Sequence, residues 1–135
     1  VQGANKMAKS IDDINVLLVD DVSQARRFVE VILSGMGVNQ VFTANDGRSA
    51  LDFLGVEIDM VDLIICDWQM PRMSGLELLK QVRVIAPDMP FMMVTGRSDI
   101  KSVTEARDLG VNAYIAKPFS PQDFEKKMKT LLRYM

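Results

Sequence analysis

The sequence alternates five short apolar runs with longer stretches that have helical periodicity. The runs, rich in β-branched residues, are 15–19, 41–44, 61–66, 91–95 and 113–116. Strands that are apolar throughout and alternate with helices are typical of a parallel sheet with both faces covered. We therefore predict one α/β domain made of five β-α units with right-handed crossovers.

The stretches between the runs predict five helices. The first has apolar residues at i, i+3, i+4 spacing, namely Ala25, Phe28, Val29, Ile32, Leu33 and Met36. The third, fourth and fifth helices have three further predicted apolar faces: Leu76, Leu79, Val82 and Ile85; Ile100, Val103, Ala106 and Leu109; and Phe124, Met128, Leu131, Leu132 and Met135. The fourth is expected from near Ser98 to Gly110, and its face is thin.

Three helix starts have capping signals. Asp46 can cap the second helix, whose inward residues are predicted to be Ala50, Leu51 and Leu54. Ser74-x-x-Glu77 predicts a capping box at the third. Ser120, followed by Pro121 and then Asp123, predicts the start of the last helix.

Composition excludes several functional classes. The 135-residue chain has a net charge of −2, which does not favour a nucleic-acid or membrane surface. It has no histidine, which excludes a histidine base, ligand or phospho-carrier in this chain, and its single cysteine, Cys66, is expected to be a buried thiol. No apolar run approaches the roughly 18 residues of a membrane span. We expect a reduced cytoplasmic monomer, with residues 1–13 as a disordered leader and 14–135 as the domain.

Polar side chains follow four of the five predicted strands. Asp20 and Asp21 follow the first, Asp67 follows the third, Thr95 ends the fourth and Lys117 follows the fifth. In open α/β sheets, ligands bind beyond the carboxyl ends of the strands, so these side chains are expected to meet at one edge. Two carboxylates about 4 Å apart repel by roughly 4 kcal/mol at an effective dielectric constant near 20, so either a cation binds or one of them is protonated.

The ligand set favours Mg²⁺, because the candidate donors are hard oxygen atoms. Beside a metal, one carboxylate can attack phosphorus and form an aspartyl-phosphate, with Lys117 and Thr95 contacting phosphoryl oxygens. Each residue alone has a structural alternative. The Asp20–Asp21 pair could cap the next helix, Asp67 could be a turn residue, and Trp68 could pack over the site or only within its loop.

Four motifs resemble the response-regulator receiver family. They are Val-Leu-Leu-Val-Asp-Asp (16–21), Asp-Trp-Gln-Met-Pro-x-Met-Ser-Gly-Leu-Glu-Leu-Leu (67–79), Met-Val-Thr-Gly (93–96) and Ala-Tyr-Ile-Ala-Lys-Pro-Phe (113–119). The likeness spans about residues 14–135 and is greatest to the chemotaxis-type (CheY-like) single-domain subgroup. It implies a flavodoxin-like (βα)5 three-layer sandwich with strand order 2-1-3-4-5.

The resemblance also implies roles for individual residues. Asp67 would accept a phosphoryl group from a sensor histidine kinase or a histidine phosphotransfer protein. Asp21, Asp67 and the backbone carbonyl of Gln69 would bind Mg²⁺ directly, and Asp20 through water. Lys117, preceding a cis peptide bond to Pro118, would bind the phosphoryl group.

Four further implications concern switching. Thr95 would move towards the phosphoryl group and Tyr114 would swing inward, while Gln69 and Arg97 would tune dephosphorylation. The output surface would be helix 4, strand 5 and helix 5, where a protein target is expected; its candidate contacts are Ile100, Lys101, Tyr114, Lys126 and Lys127.

Three rival interpretations stay open. A haloacid-dehalogenase-type phosphatase also uses an aspartate nucleophile and Mg²⁺. That class has the motif Asp-x-Asp after the first strand, whereas here the two aspartates are adjacent. A flavodoxin would need a phosphate loop after the first strand. A binding module could keep the receiver fold without being phosphorylated.

Overall fold

The protein is built on a parallel five-stranded sheet. The computed structural model describes residues 10–96 and 100–135. The strands, in the order β2-β1-β3-β4-β5, are β1 (Asn15–Val19), β2 (Gln40–Ala44), β3 (Leu63–Asp67), β4 (Phe91–Thr95) and β5 (Ala113–Ala116). All neighbouring strands are parallel, so the predicted sheet and strand order are confirmed.

Helices cover both faces of the sheet. The described residues form α1 (Ser23–Met36), α2 (Gly47–Glu57), α3 (Gly75–Ile85), α4 (Ile100–Asp108) and α5 (Pro121–Leu132). One core cluster contains buried residues of α2, α3 and α4, and the other contains buried residues of α1 and α5. Two cores on opposite faces of one sheet make the predicted three-layer, flavodoxin-like sandwich.

The central strands are apolar because both faces are covered. Every residue of β3 and β4 is buried. The register pairs Val19 with Cys66 and Thr95 with Ala116, so the carboxyl ends of neighbouring strands lie at the same edge. Asp67 is the last residue of β3, which places its carboxylate at that edge.

The three predicted helix caps are confirmed. The Asp46 side chain accepts a 2.7 Å hydrogen bond from the Ser49 amide. Capping boxes are formed by Ser74 with Glu77 and by Ser120 with Asp123. These local contacts satisfy amide groups that the first helical turn leaves without partners.

Three predicted helix faces are wrong in part. On α1, Phe28 is 44% exposed, whereas Val29, Ile32 and Leu33 are buried. On α4, Ile100 is 85% exposed and Val103 37% exposed, while Ser102 and Ala106 are buried. Residues three apart advance by about 300° at 3.6 residues per turn, so a stripe built only on i+3 steps turns away from the core. The same drift leaves Ile85 half-exposed on α3 while Leu78 is buried.

The amino-terminal boundary remains a prediction. Residues 1–9 lie outside the described residues, as does Ser98 before α4. Ile11–Asp13 form a short 3-10 helix, and Ile11 packs against the core beneath α1 and α5. Across 10–96 and 100–135, no helix is long and apolar enough to cross a bilayer.

Candidate functional site

Three carboxylates meet at the carboxyl edge of the sheet. Asp20 and Asp21 follow β1, and Asp67 ends the neighbouring strand β3. One potential ligand oxygen from each lies within 4.8 Å of the others. Asp20 and Asp67 are buried, whereas Asp21 is exposed. The structure therefore brings together the acidic residues that the sequence predicted at this edge.

Three hydrogen bonds hold Asp20. Its amide donates to the carbonyl of Ala44 at 3.1 Å, and its Oδ1 accepts from the Val22 amide at 2.9 Å. Its own carbonyl accepts from Arg26 Nη1 at 2.8 Å. The side chain therefore has a defined direction towards Asp67.

The environment of Asp20 disfavours its charged form. Burial is the main cause that raises the pKa of this carboxyl, and the charges of Asp67 and Asp21 raise it further. The hydrogen bond from Val22 and the charge of Lys117 act in the opposite direction. A cation in the cluster would remove the repulsion that raises the pKa.

Lys117 supplies a positive charge beside Asp67. Its Nζ lies 2.7 Å from Asp67 Oδ1, and the Asp67 side chain is only 7% exposed. The Lys117 amide donates to the Thr95 carbonyl at 2.8 Å, which fixes the start of the β5–α5 loop on the end of β4. The peptide bond from Lys117 to Pro118 is cis, as expected.

Of the four remaining predicted site residues, three lie among the residues that the structure describes. Thr95 is buried at the end of β4, and Tyr114 in β5 is partly buried against the α2–α3–α4 core. Gln69 is exposed two residues past Asp67. Arg97 lies outside the described residues.

Trp68 and Cys66 flank Asp67 within the protein interior. Trp68 is 6% exposed and belongs to the α2–α3–α4 core, which favours a packing role. Cys66 Sγ contacts the Asp67 carbonyl at 3.1 Å, and burial raises the pKa of its thiol. The expectation of a buried thiol is confirmed, and a raised pKa disfavours the reactive thiolate form.

Contacts that periodicity does not reveal also shape the site. At the first residue of α3, Gly75, a Cβ would collide with the Asp67 carbonyl oxygen and lie 2.9 Å from Trp68 Cα. In the same loop Arg72 adopts a left-handed φ of 68° and pairs with Asp46 at 3.2 Å. The sequence signal for this close backbone approach is a glycine directly after the Ser74 cap. No sequence signal indicates the contacts that Arg26 and Arg72 make.

The donor set of the acidic cluster fits Mg²⁺. The three side chains offer carboxylate oxygens, the hard ligands that Mg²⁺ prefers, and Asp21 is exposed enough to leave room for water. Fold and site together define an α/β domain with a cluster of carboxylates that could hold a cation beside a lysine.

The chain belongs to the response regulator receiver domain family, whose pattern matches residues 16–129. It is thus a signalling domain of two-component type, and its CheY-like character is confirmed by its relatives. Because the chain belongs to this family, the interpretations as a haloacid-dehalogenase-type phosphatase and as a flavodoxin are rejected.

Relatives and solved structures agree on this subgroup. The chain is 41% identical over 121 residues to a chemotaxis protein CheY homolog of Campylobacter jejuni, covering 88% of this chain and 92% of the relative. It is 36% identical over 118 residues to chemotaxis protein CheY-3 of Vibrio cholerae, covering 86% and 89%. The structure of chemotaxis response regulator CheY4 of Vibrio cholerae superimposes with a TM-score of 0.80 at 33% identity, covering 88% and 98%.

Proposed function

We propose that Asp67 accepts a phosphoryl group in a Mg²⁺-dependent reaction from a phosphohistidine of a sensor kinase or a histidine phosphotransfer protein. The carrying observation is that the ligand oxygens of Asp20, Asp21 and Asp67 lie within 4.8 Å of one another. In this proposal Asp21, Asp67 and the Gln69 carbonyl bind the metal directly, and Asp20 binds it through water. The names of the chemotaxis relatives support a role in chemotaxis. Control of the flagellar motor is part of the proposal and rests on the likeness to the CheY-like subgroup alone.

The arrangement suits an aspartyl nucleophile. A carboxylate oxygen of Asp67 forms a bond to phosphorus while the bond from phosphorus to the donor's imidazole nitrogen breaks, and the electron pair stays with the imidazole. Bound Mg²⁺ supplies charge neutralisation for the phosphoryl oxygens. Lys117 already lies beside Asp67 and can pair with the incoming phosphoryl group.

Phosphorylation has a direct route to the output surface. The modification adds roughly two negative charges, which Lys117 and the Thr95 hydroxyl can meet if the loops after β4 and β5 tighten. Because the Lys117 amide is bonded to the Thr95 carbonyl, the two loops are coupled mechanically. Tyr114 is then expected to turn inward, and Gln69 and Arg97 to set the access of the hydrolytic water.

The target surface is proposed to be α4, β5 and α5. Ile100 is 85% exposed at the start of α4, and Lys101, Lys126 and Lys127 are exposed on α4 and α5. The apolar and basic groups on these helices suit a protein target. Population shift between two states of similar free energy would link this surface to Asp67.

Incubation with acetyl phosphate and Mg²⁺ tests the nucleophile. We expect the intact mass to increase by one phosphoryl group, and Asp67→Asn to abolish the increase. Asp52→Asn is the matched control, because Asp52 is exposed on α2 and pairs only weakly with Arg48 at 3.5 Å. Labelling of Asp67→Asn at the wild-type rate would refute the assignment, and an unlabelled wild type would favour the unphosphorylated binding module.

A separate pull-down tests the output. Beryllofluoride with Mg²⁺ mimics the phosphoryl group, so it should increase retention of the target by the wild type. Ile100→Ala should reduce that retention without changing labelling of Asp67. Equal retention with and without beryllofluoride would contradict the proposed switch.

A further inference from the structure

The direction of the Asp20 side chain depends on one arginine of α1. Three hydrogen bonds fix Asp20, and in two of them the partner is a main-chain group, the Ala44 carbonyl or the Val22 amide. The third is donated by Arg26 Nη1 to the Asp20 carbonyl at 2.8 Å. We propose that Arg26 is a positioning residue that fixes the Asp20–Asp21 turn for Mg²⁺ binding; this inference rests on the proposed function.

The turn between β1 and α1 has little other side-chain support. Val22 is the N-cap of α1 and makes no side-chain capping bond. The turn is therefore held by the Asp20 side chain, which accepts from the Val22 amide, and by a side chain of α1 that donates to the Asp20 carbonyl. Arg26 does this from the first turn of α1, where its own amide bonds to the Val22 carbonyl at 2.9 Å.

Fixing the main chain of Asp20 fixes the carboxylates. Asp20 Oδ1 accepts the hydrogen bond of the Val22 amide, and Oδ2 is then available for the cation site. If the Asp20 carbonyl loses its donor, the peptide can rotate, and both Asp20 and Asp21 move relative to Asp67. Removing a group that orients a metal ligand commonly lowers metal affinity by roughly 10–100-fold.

Charge and positioning predict opposite effects of removing Arg26. A guanidinium near a cation site repels the cation, so charge alone predicts tighter Mg²⁺ binding when Arg26 is neutralised. Loss of positioning predicts weaker binding. The sign of the change therefore separates the two.

The central experiment compares Arg26→Met with Arg27→Met. Arg27 is the adjacent residue on α1, and its side chain is 72% exposed. Among residues 10–96 and 100–135 it pairs with Glu30 at 3.5 Å, so its replacement removes the same charge without touching the turn. Mg²⁺ is titrated by calorimetry, and Trp68 fluorescence gives a second measurement. We expect the dissociation constant to rise on the order of 10-fold in Arg26→Met and to stay at or slightly below the wild-type value in Arg27→Met.

Two further measurements distinguish positioning from a general structural role. Arg26→Lys keeps a donor for one carbonyl and should recover part of the lost affinity. With acetyl phosphate, Arg26→Met should need more Mg²⁺ for half-maximal labelling of Asp67 and reach the wild-type rate at saturating Mg²⁺. A lower rate at saturation would show that Arg26 affects the reaction itself and would overturn the positioning role.

The outcomes separate this inference from the proposed function. A wild type that takes up no Mg²⁺ overturns both. A wild type that binds Mg²⁺, together with an Arg26→Met protein that binds it as tightly as Arg27→Met, overturns only the role of Arg26. Thermal melts check folding; if Arg26→Met does not fold, Arg26→Gln gives the same comparison, and unchanged affinity there is equally contrary.

Discussion

Lys117 Nζ lies 2.7 Å from Oδ1 of Asp67, so an ammonium group already neutralises one of the three clustered carboxylates. The Lys117 side chain is 37% exposed, whereas that of Asp67 is 7% exposed. The lysine can therefore leave the pair for solvent or for a phosphoryl group while Asp67 stays in place. In the proposed reaction, Mg²⁺ and the phosphoryl donor must each compete with Lys117 for the Asp67 carboxylate.

Replacing Lys117 should separate metal binding from signal transmission. In Lys117→Ala the competing ammonium is gone, so we expect Mg²⁺ to bind a few-fold more tightly by calorimetry. Asp67 should still be labelled by acetyl phosphate, but beryllofluoride should no longer increase target retention. Lys80→Ala on the exposed side of α3 is the control. Wild-type target binding by phosphorylated Lys117→Ala would remove its role in transmission.

Neutralising Asp20 should stabilise the metal-free protein. Asp20 is 5% exposed and shares a 4.8 Å cluster with two other carboxylates. Asn can still accept the Val22 hydrogen bond, so Asp20→Asn removes the repulsion and keeps the turn. We expect Tm in EDTA at neutral pH to rise by a few degrees, about the effect of 1 kcal/mol. A lower Tm than that of the control Asp52→Asn would show that the cluster is not repulsive.

Much of the site could be predicted from sequence because its position follows from topology. Once five apolar runs alternate with helices, the residues after the first and third strands must lie at one edge, and Asp20, Asp21 and Asp67 do so. The helix caps were equally accessible, because Asp46 and Ser120 bond to amides three residues away. Local chemistry and strand order were sufficient for both.

Contacts between distant main-chain atoms and side chains were not predictable. Arg26 and Arg83 are charged residues on helices, and nothing in periodicity indicates that each guanidinium reaches carbonyl groups. The burial of Ser102 and the exposure of Ile100 on α4 also depend on how the helix is rotated against the sheet. A run of i+3 spacings does not determine that rotation.

Two glycines of helices should respond oppositely to alanine. At Gly75 a Cβ would meet main-chain atoms of Asp67 and Trp68, whereas at Gly55 in α2 nothing lies within 4 Å. Gly75→Ala should lower the free energy of unfolding by about 1–3 kcal/mol and weaken Mg²⁺ binding. Gly55→Ala should increase stability by roughly 0.5–1 kcal/mol, because alanine favours the helix.

Urea unfolding with and without Mg²⁺ measures both effects. A Gly75→Ala protein as stable as the wild type would mean that α3 can move away from the end of β3 without cost. If its Mg²⁺ affinity were also unchanged, the close approach would have no bearing on the site.

The capping box of α5 should make stability sensitive to acid. Hydrogen bonds from the Ser120 amide and hydroxyl lower the pKa of Asp123 from its usual 3.8. Folding therefore favours the ionised form, so this contribution is present above pH 3.8 and is lost as the pH falls through the lowered value. In Asp123→Asn, Tm should fall less steeply between about pH 5 and about pH 2.5 than in the wild type. Parallel curves would show that the charge contributes nothing.

Arg83 should be the largest single side-chain contributor to the position of α4. From α3 its guanidinium donates to the carbonyls of Leu109 at 3.1 Å, Met89 at 2.8 Å and Gly110 at 2.7 Å. It also donates to Asn112 Oδ1 at 3.1 Å, and that oxygen in turn accepts the Phe91 amide at 2.8 Å. One side chain thus ties the end of α4 to α3 and to the start of β4.

Removing Arg83 leaves several carbonyl groups without their charged donor. We expect Arg83→Ala to lower the free energy of unfolding by about 2–4 kcal/mol in urea titrations. Arg83→Lys should recover little, because a lysine cannot reproduce the planar set of donors. Lys80→Ala on the same helix should stay within about 0.5 kcal/mol of the wild type. If Arg83→Lys were as stable as the wild type, a single positive charge would suffice, and the four-way contact would not be what holds α4.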